Sequence, residues 1–145
     1  MKKIDIIVGS VLGATEYVAD AIEAKCQSLG LAVNVHFKPD FAEIDPSSTW
    51  IVCSSTHGAG DLPDNIQPFY AQLIHHSLHN DCLVVGLGDS SYDTYCQGAQ
   101  TLYKALVQAG VTPINEVFLV DVLHHPIPEN TVMDWITPHL EAMCT

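Results

Sequence analysis

Residues able to do chemistry cluster in three glycine-containing stretches. The first is Gly9-Ser10-Val11-Leu12-Gly13-Ala14-Thr15. It follows the apolar run 4–8 and precedes residues 16–22, whose apolar positions have helical spacing. That pattern is a strand, a tight turn and a helix N-terminus, where backbone N–H groups and the helix dipole favour an anion, most often phosphate. Ser10 and Thr15 add hydroxyl donors. The second stretch is Ser54-Ser55-Thr56-His57-Gly58-Ala59-Gly60-Asp61-Leu62-Pro63-Asp64-Asn65. The third is Gly86-Leu87-Gly88-Asp89-Ser90-Ser91-Tyr92-Asp93-Thr94-Tyr95-Cys96.

Several chemistries fit these stretches poorly. A triphosphatase loop needs a lysine after its second glycine. Here Gly9 and Gly13 are one residue too close, and Ala14 stands in the lysine's place. Gly86-Leu87-Gly88 lacks the third glycine of a dinucleotide fingerprint. A response-regulator domain needs acids at the ends of the first and third strands, where this chain has Gly9-Ser10 and Ser54-Ser55. A serine hydrolase using Ser90 is an enzymatic alternative, because His57-Gly58-Ala59-Gly60 looks like a lipase oxyanion loop. No G-x-S-x-G elbow occurs, however. His75 and His79 have i,i+4 spacing, but no cysteine or carboxylate completes a metal set.

Composition narrows the partners. The 145 residues carry five basic against 17 acidic side chains, a formal net charge of −12, and every basic residue is a lysine. Such a chain lacks the cationic clusters that nucleic acid requires, and the arginine that usually meets the 2′-phosphate of NADP. An acidic surface suits a basic protein partner. Five widely spaced cysteines without a C-x-x-C pair fit reduced thiols in the cytoplasm. No apolar run reaches membrane-spanning length.

The elements that must position the three stretches follow from periodicity. Strands are expected at about 4–8, 31–37, 50–53, 82–87 and 117–120, and helices at about 14–29, 68–76, 98–109 and 134–143. Pro138 should kink or split the last helix. Apolar strands alternating with amphipathic helices imply one α/β domain over 1–145, with a parallel sheet between helical layers. Ligands of such folds sit beyond the carboxyl ends of the strands, where the three polar stretches belong.

Flavin mononucleotide (FMN) answers all three stretches together. Its single terminal phosphate suits the lysine-free first turn. Its flat ring suits loops that offer small residues, backbone amides and an aromatic face, for which Tyr92 and Tyr95 are the candidates.

Across nearly its whole length the chain resembles flavodoxins and the FMN domains of diflavin reductases. Ser10-Val11-Leu12-Gly13-Ala14-Thr15 is similar to the family's phosphate loop, and the second and third stretches are similar to the two ring loops of the diflavin group. His57, the Tyr-Asp-Thr-Tyr-Cys segment and Ile127-Pro128-Glu129 with Trp135 are most similar to short-chain, MioC-type flavodoxins. The resemblance implies a three-layer sandwich on a five-stranded parallel sheet of order 2-1-3-4-5. It also implies FMN contacts from Ser10, Val11, Leu12, Gly13, Ala14 and Thr15, from Ser55, Thr56, His57, Gly58, Ala59 and Gly60, and from Leu87, Gly88, Asp89, Ser91, Tyr92, Tyr95 and Cys96. Leu12 replaces a hydroxyl residue common in the family's phosphate loop, and His57 replaces a larger aromatic.

The function implied is a one-electron carrier rather than a self-contained enzyme. A separate NAD(P)H-dependent reductase would load it, and it would pass electrons to an acceptor redox protein, both presenting basic faces. A cytoplasmic monomer is expected. The alternative is a non-redox module of the same fold that binds a protein partner without stable FMN. Asp61, Asp64, Asp89 and Asp93 place negative charge in the ring loops, which disfavours further charge on a reduced ring. The backbone at Gly58-Ala59 is free enough to turn a carbonyl toward the ring's N5.

Overall fold

The computed structural model describes residues 3–10, 13–57 and 59–144. Strand β1 (Lys3–Gly9) leads into helix α1 (Ala14–Ser28) and strand β2 (Ala32–His36). Strand β3 (Thr49–Ser54), helix α2 (Gln67–Leu73) and strand β4 (Asp81–Gly88) follow. The chain then forms helix α3 (Gln97–Gln108), strands β5 (Thr112–Pro113) and β6 (Phe118–Asp121), and helix α4 (Pro128–Ala142). All pairs among these strands are parallel, in the order β2-β1-β3-β4-β5, with β6 also paired to β4.

The expected order 2-1-3-4-5 is therefore present, with its fifth strand in two pieces. Asp81 and Cys82 pair with Thr112 and Pro113, and the run from Val85 to Gly88 pairs with Phe118 to Asp121. Proline has no N–H to give a ladder, which confines it to sheet edges. Pro113 occupies such an edge here.

Each face of the sheet has its own apolar core. Ile4, Ile6, Val8, Ile51, Cys53, Val85 and Val120 pack with Val18 and Ile22 of α1 and with Val132, Ile136 and Leu140 of α4. Ile7, Trp50, Val52, Cys82 and Val84 pack with Phe69 and Leu73 of α2 and with Leu102 and Leu106 of α3. The alternation of Ile6 and Ile7 between the two cores is the period-2 rule of a strand buried on both sides.

Two expectations are revised. Helix α4 starts at Pro128 rather than near 134, because Pro128 fills a first-turn position where its missing N–H costs nothing. It also runs on through Pro138 without splitting. The 41–48 connection contains a single turn of 3₁₀ helix at Phe41–Glu43, capped by the Asp40 carboxylate accepting from the Ala42 N–H.

The register lines up the carboxyl ends. Gly9 pairs with Ser54, Ser54 with Gly86, and Gly88 with Asp121. The loops after β1, β3, β4 and β6 leave the sheet from this one edge.

Candidate functional site

The first loop begins where two backbones touch. A Cβ on Gly9 would stand 2.7 Å from Ser54 Oγ and 2.9 Å from Ile66 Cγ2, so only glycine fits. The Gly9 carbonyl accepts from the Ser55 N–H at 2.9 Å, and Asn65 Oδ1 accepts from the Ser10 N–H at 2.9 Å. The Ser10 side chain is buried, and its Oγ has no hydrogen-bond partner among the described residues. Gly13 turns the chain into α1 at φ +82°, in the left-handed region, and its carbonyl receives the N–H groups of Glu16 and Tyr17. No side chain among the described residues caps this helix end. Its first N–H groups therefore keep their capacity for an anion. Thr15 is buried beside them, while Ala14 is exposed. Val11 and Leu12, two of the expected site residues, lie outside the described residues.

The second loop folds into a tight antiparallel bridge. The His57 N–H donates to the Asp61 carbonyl at 2.7 Å, and the Asp61 N–H donates back at 2.8 Å. Ala59 and Gly60 form the turn between them, and Gly58 lies outside the described residues. His57 is exposed. Thr56 Oγ1 accepts from the Gly98 N–H at 2.9 Å, which ties this loop to the start of α3.

The third loop closes back onto β4. A Cβ on Gly88 would lie 2.9 Å from both the nitrogen and the Sγ of Cys96. Asp89 Oδ1 accepts from the Ser91 N–H at 2.8 Å and from the Ser91 hydroxyl at 2.6 Å, an Asx turn that sets the loop's entry. Asp121, at the end of β6, accepts from the N–H groups of Ser90 and Leu123. The Ser90 hydroxyl bond is the main cause holding the Asp121 carboxyl below its ordinary range. Tyr95 is half-buried, and burial first, then Cys96 and Asp121, push its hydroxyl up to about 12. Burial pushes the Cys96 thiol up to about 11. Both groups therefore stay neutral at physiological pH. Cys96 adopts φ +52°, the one left-handed non-glycine among the described residues, and swings the chain into α3.

A cavity of about 320 Å³ lies between the second and third loops, lined by Thr56, Gly88, Asp89, Tyr92 and Thr94. That is within the range of small-molecule sites. Tyr92 stands at its edge and is 66% exposed, so it is no part of the core. The Leu87 side chain, by contrast, belongs to the α1/α4 core. Only its backbone can face a ligand.

Sequence reasoning missed Asn65 and Asp121 as organisers of these loops, and Thr94 as a lining residue. The signal for Asn65 was its place at the end of the second loop. Ser90 meets a carboxylate rather than an imidazole, and His124 Nε2 lies 3.6 Å from the other oxygen of Asp121. A hydrolase triad needs histidine between serine and acid, so this arrangement offers no base to Ser90. Among the described residues no group of three or more His, Cys, Asp or Glu converges as a metal set, and no helix is long and apolar enough to cross a membrane.

The same loops and edge occur in known proteins. The family model described as Flavodoxin matches residues 6–135. The protein MioC homolog of Pasteurella multocida is 36% identical over 144 residues, covering 97% of this chain and 98% of its own. Protein MioC of Escherichia coli K12 is 34% identical over 139 residues, covering 94% of this chain and 95% of its own. A solved cysteine-to-alanine mutant of flavodoxin from Pseudomonas aeruginosa superposes with a TM-score of 0.84 at 30% identity, over 97% of each chain. A match that takes in β1, β3, β4 and β6 with the loops that leave them reaches well beyond a shared sheet order, and by it this chain belongs to the flavodoxin family.

Proposed function

We propose that the protein is a one-electron carrier that holds FMN at the carboxyl edge of its sheet and works between a reductase and an acceptor redox protein. Flavodoxins are FMN-binding proteins that work with redox partners. The observation that carries the reading here is the Ser10 hydroxyl, buried and unpaired among the described residues, a few positions ahead of the uncapped start of α1. A buried hydroxyl without a partner costs free energy, and an anion at that helix end restores the missing bond.

On this reading Ser10, Gly13, Ala14 and Thr15, with Val11 and Leu12, hold the phosphate through hydroxyls and backbone N–H groups. The ring belongs in the cavity between Thr56 and Tyr92. Tyr92 and Tyr95 supply aromatic surface, and Ser55, Thr56, His57, Gly58, Ala59 and Gly60 supply the opposite edge. Leu87, Gly88, Asp89, Ser91 and Cys96 let backbone approach closely. FMN, when bound, supplies the redox chemistry, and the protein tunes it. Asp89, which lines the cavity, with Asp61, Asp64 and Asp93 in the same two loops, opposes added negative charge and so lowers the reduction potential. A surface with net charge −12 suits partners with basic faces. Five unpaired cysteines suit a reducing, cytoplasmic setting, and a monomer leaves the flavin edge open to both partners.

Adding FMN to the purified apoprotein tests the reading. The expected result is a yellow protein and quenched FMN fluorescence at one equivalent. A colourless protein that leaves FMN fluorescence unchanged overturns it in favour of a non-redox binding module.

A further inference from the structure

Asn65 bonds to three separate stretches of backbone. Its Oδ1 accepts from the Ser10 N–H at 2.9 Å, and its Nδ2 donates to the Val8 carbonyl at 2.7 Å and the Phe37 carbonyl at 2.8 Å. These partners fix the amide's orientation, because turning it over sets N–H against N–H and oxygen against two carbonyls. The three partners lie near the end of β1, at the start of the first loop and just past β2. The next residue, Ile66, is fully buried and fills the space above Gly9, while the Ser55 N–H holds the Gly9 carbonyl. The Gly9–Ser10 backbone is thus clamped by the second loop.

The clamp selects between the two donors of Ser10. The backbone N–H is committed to Asn65, so it is not among those an anion can take. The hydroxyl is buried and has no partner among the described residues. Resting on the FMN reading above, we propose that Asn65 is a positioning residue for the cofactor's phosphate. It turns the hydroxyl of Ser10, instead of its N–H, toward the anion, and so makes preference for a phosphorylated flavin depend on the second loop.

Riboflavin, which has the ring without the phosphate, separates this role from general support of the fold. Dissociation constants of FMN and riboflavin are measured by fluorescence quenching for the wild-type apoprotein and for Asn65→Ala. FMN binding is expected to weaken at least roughly tenfold, and riboflavin binding by less than about twofold. Equal weakening of both flavins overturns the proposal, since Asn65 then only supports the site as a whole. No change in either overturns it too. Should Asn65→Ala not fold, hydrogen exchange of the Ser10 amide in the wild-type apoprotein decides. Protection of at least roughly a hundredfold over the unfolded chain supports the clamp, and free exchange overturns it. A wild type that binds neither flavin brings down the FMN reading and this proposal together. A wild type that prefers FMN as strongly as Asn65→Ala does leaves that reading standing and removes only the role of Asn65.

Discussion

Asp5 and Ser10 are both buried polar residues on the first strand or one step past it, yet their surroundings are opposite. Asp5, inside β1, is fully buried and fully engaged. His36 Nε2 lies 2.8 Å from its Oδ1, and its Oδ2 accepts from the Ser48 hydroxyl at 2.5 Å and from the Asp45 N–H at 3.3 Å. Ser10, one residue past β1, has its hydroxyl buried and empty-handed among the described residues. Polar groups that hold a fold together are paired within the chain, since an unpaired one costs about 1–3 kcal/mol. One left open where loops converge is held for something from outside. Location matters in this argument. Trp50 Nε1 and Asn80 Oδ1 are also buried without partners among the described residues, but they sit at the amino ends of β3 and β4.

The comparison is easiest to break at Asp5. Asp5→Ala removes the acceptor for His36, Ser48 and the Asp45 N–H at once, and so unlinks β2 and the 45–48 turn from β1. A loss of about 3–5 kcal/mol is expected, the range for removing one member of a buried pair. For a domain of this size that lowers the melting temperature by roughly 10 °C or more. Urea denaturation of the apoprotein checks it. A loss below about 1 kcal/mol shows that the cluster is incidental to the fold.

A buried thiol lies between the two cases, since it is a weak donor that burial simply keeps neutral. Cys53, one residue from the end of β3, is pushed up to about 12 from an ordinary 9.0 by burial alone. The sign follows from a raised folded-state value. The contribution is fully present below pH 9 and is lost as pH rises from 9 towards 12. At pH 10 it has weakened stability by about 1 kcal/mol for each such thiol. Denaturation midpoints should be level from pH 7 to 8.5 and then fall. Cys53→Ala should be less stable at neutral pH but decline less steeply above pH 9. An unchanged slope removes Cys53 from the explanation.

Ser10→Ala is the counterpart to Asp5→Ala. Apoprotein stability should change by less than about 0.5 kcal/mol or rise slightly, because an unsatisfied hydroxyl is removed. FMN affinity should nevertheless fall roughly tenfold, as expected for one lost hydrogen bond to a charged group, while riboflavin affinity holds. Parallel calorimetry and flavin titration read the two effects separately. A large loss of stability makes Ser10 a fold-holding residue like Asp5 and ends the contrast.

Much of this was legible in the sequence wherever signals are local. Uninterrupted apolar runs placed β3 and β4 because a strand covered on both faces must be apolar throughout. Gly13 marked the first loop because a tight turn into a helix needs it, whereas the crowding of Gly9 by Ser54 and Ile66 shows only in the fold. Local signals end where a bond joins distant segments. Asn65 meets Ser10, Val8 and Phe37 only after β1, β2 and the second loop are assembled, and no spacing rule encodes that. Asp5 was visible only as an interruption of an apolar run, since its partners His36 and Ser48 lie 31 and 43 residues away. The split of the last strand into β5 and β6 hides for a related reason, as two residues ending in proline carry no strand pattern.

Tyr92 should matter least to the fold. It is 66% exposed, and its N–H is satisfied by the Asp89 carbonyl, so the backbone of the third loop does not depend on its ring. Tyr92→Ala is therefore expected to leave apoprotein stability within about 0.5 kcal/mol. Its effect should appear only with ligand, and differently from that of Ser10. A ring stacked on the flavin touches the part that FMN and riboflavin share, so both should weaken roughly tenfold, with the ratio between them kept. Tyr92→Phe should restore both, because the face of the ring and not the hydroxyl makes the contact. If Tyr92→Ala weakens FMN alone, the tyrosine acts on the phosphate side and the cavity between Thr56 and Tyr92 is not the ring's place. Equal loss for both flavins, beside the phosphate-selective loss expected at Ser10, divides the open end of the sheet into two subsites that the fold itself does not need.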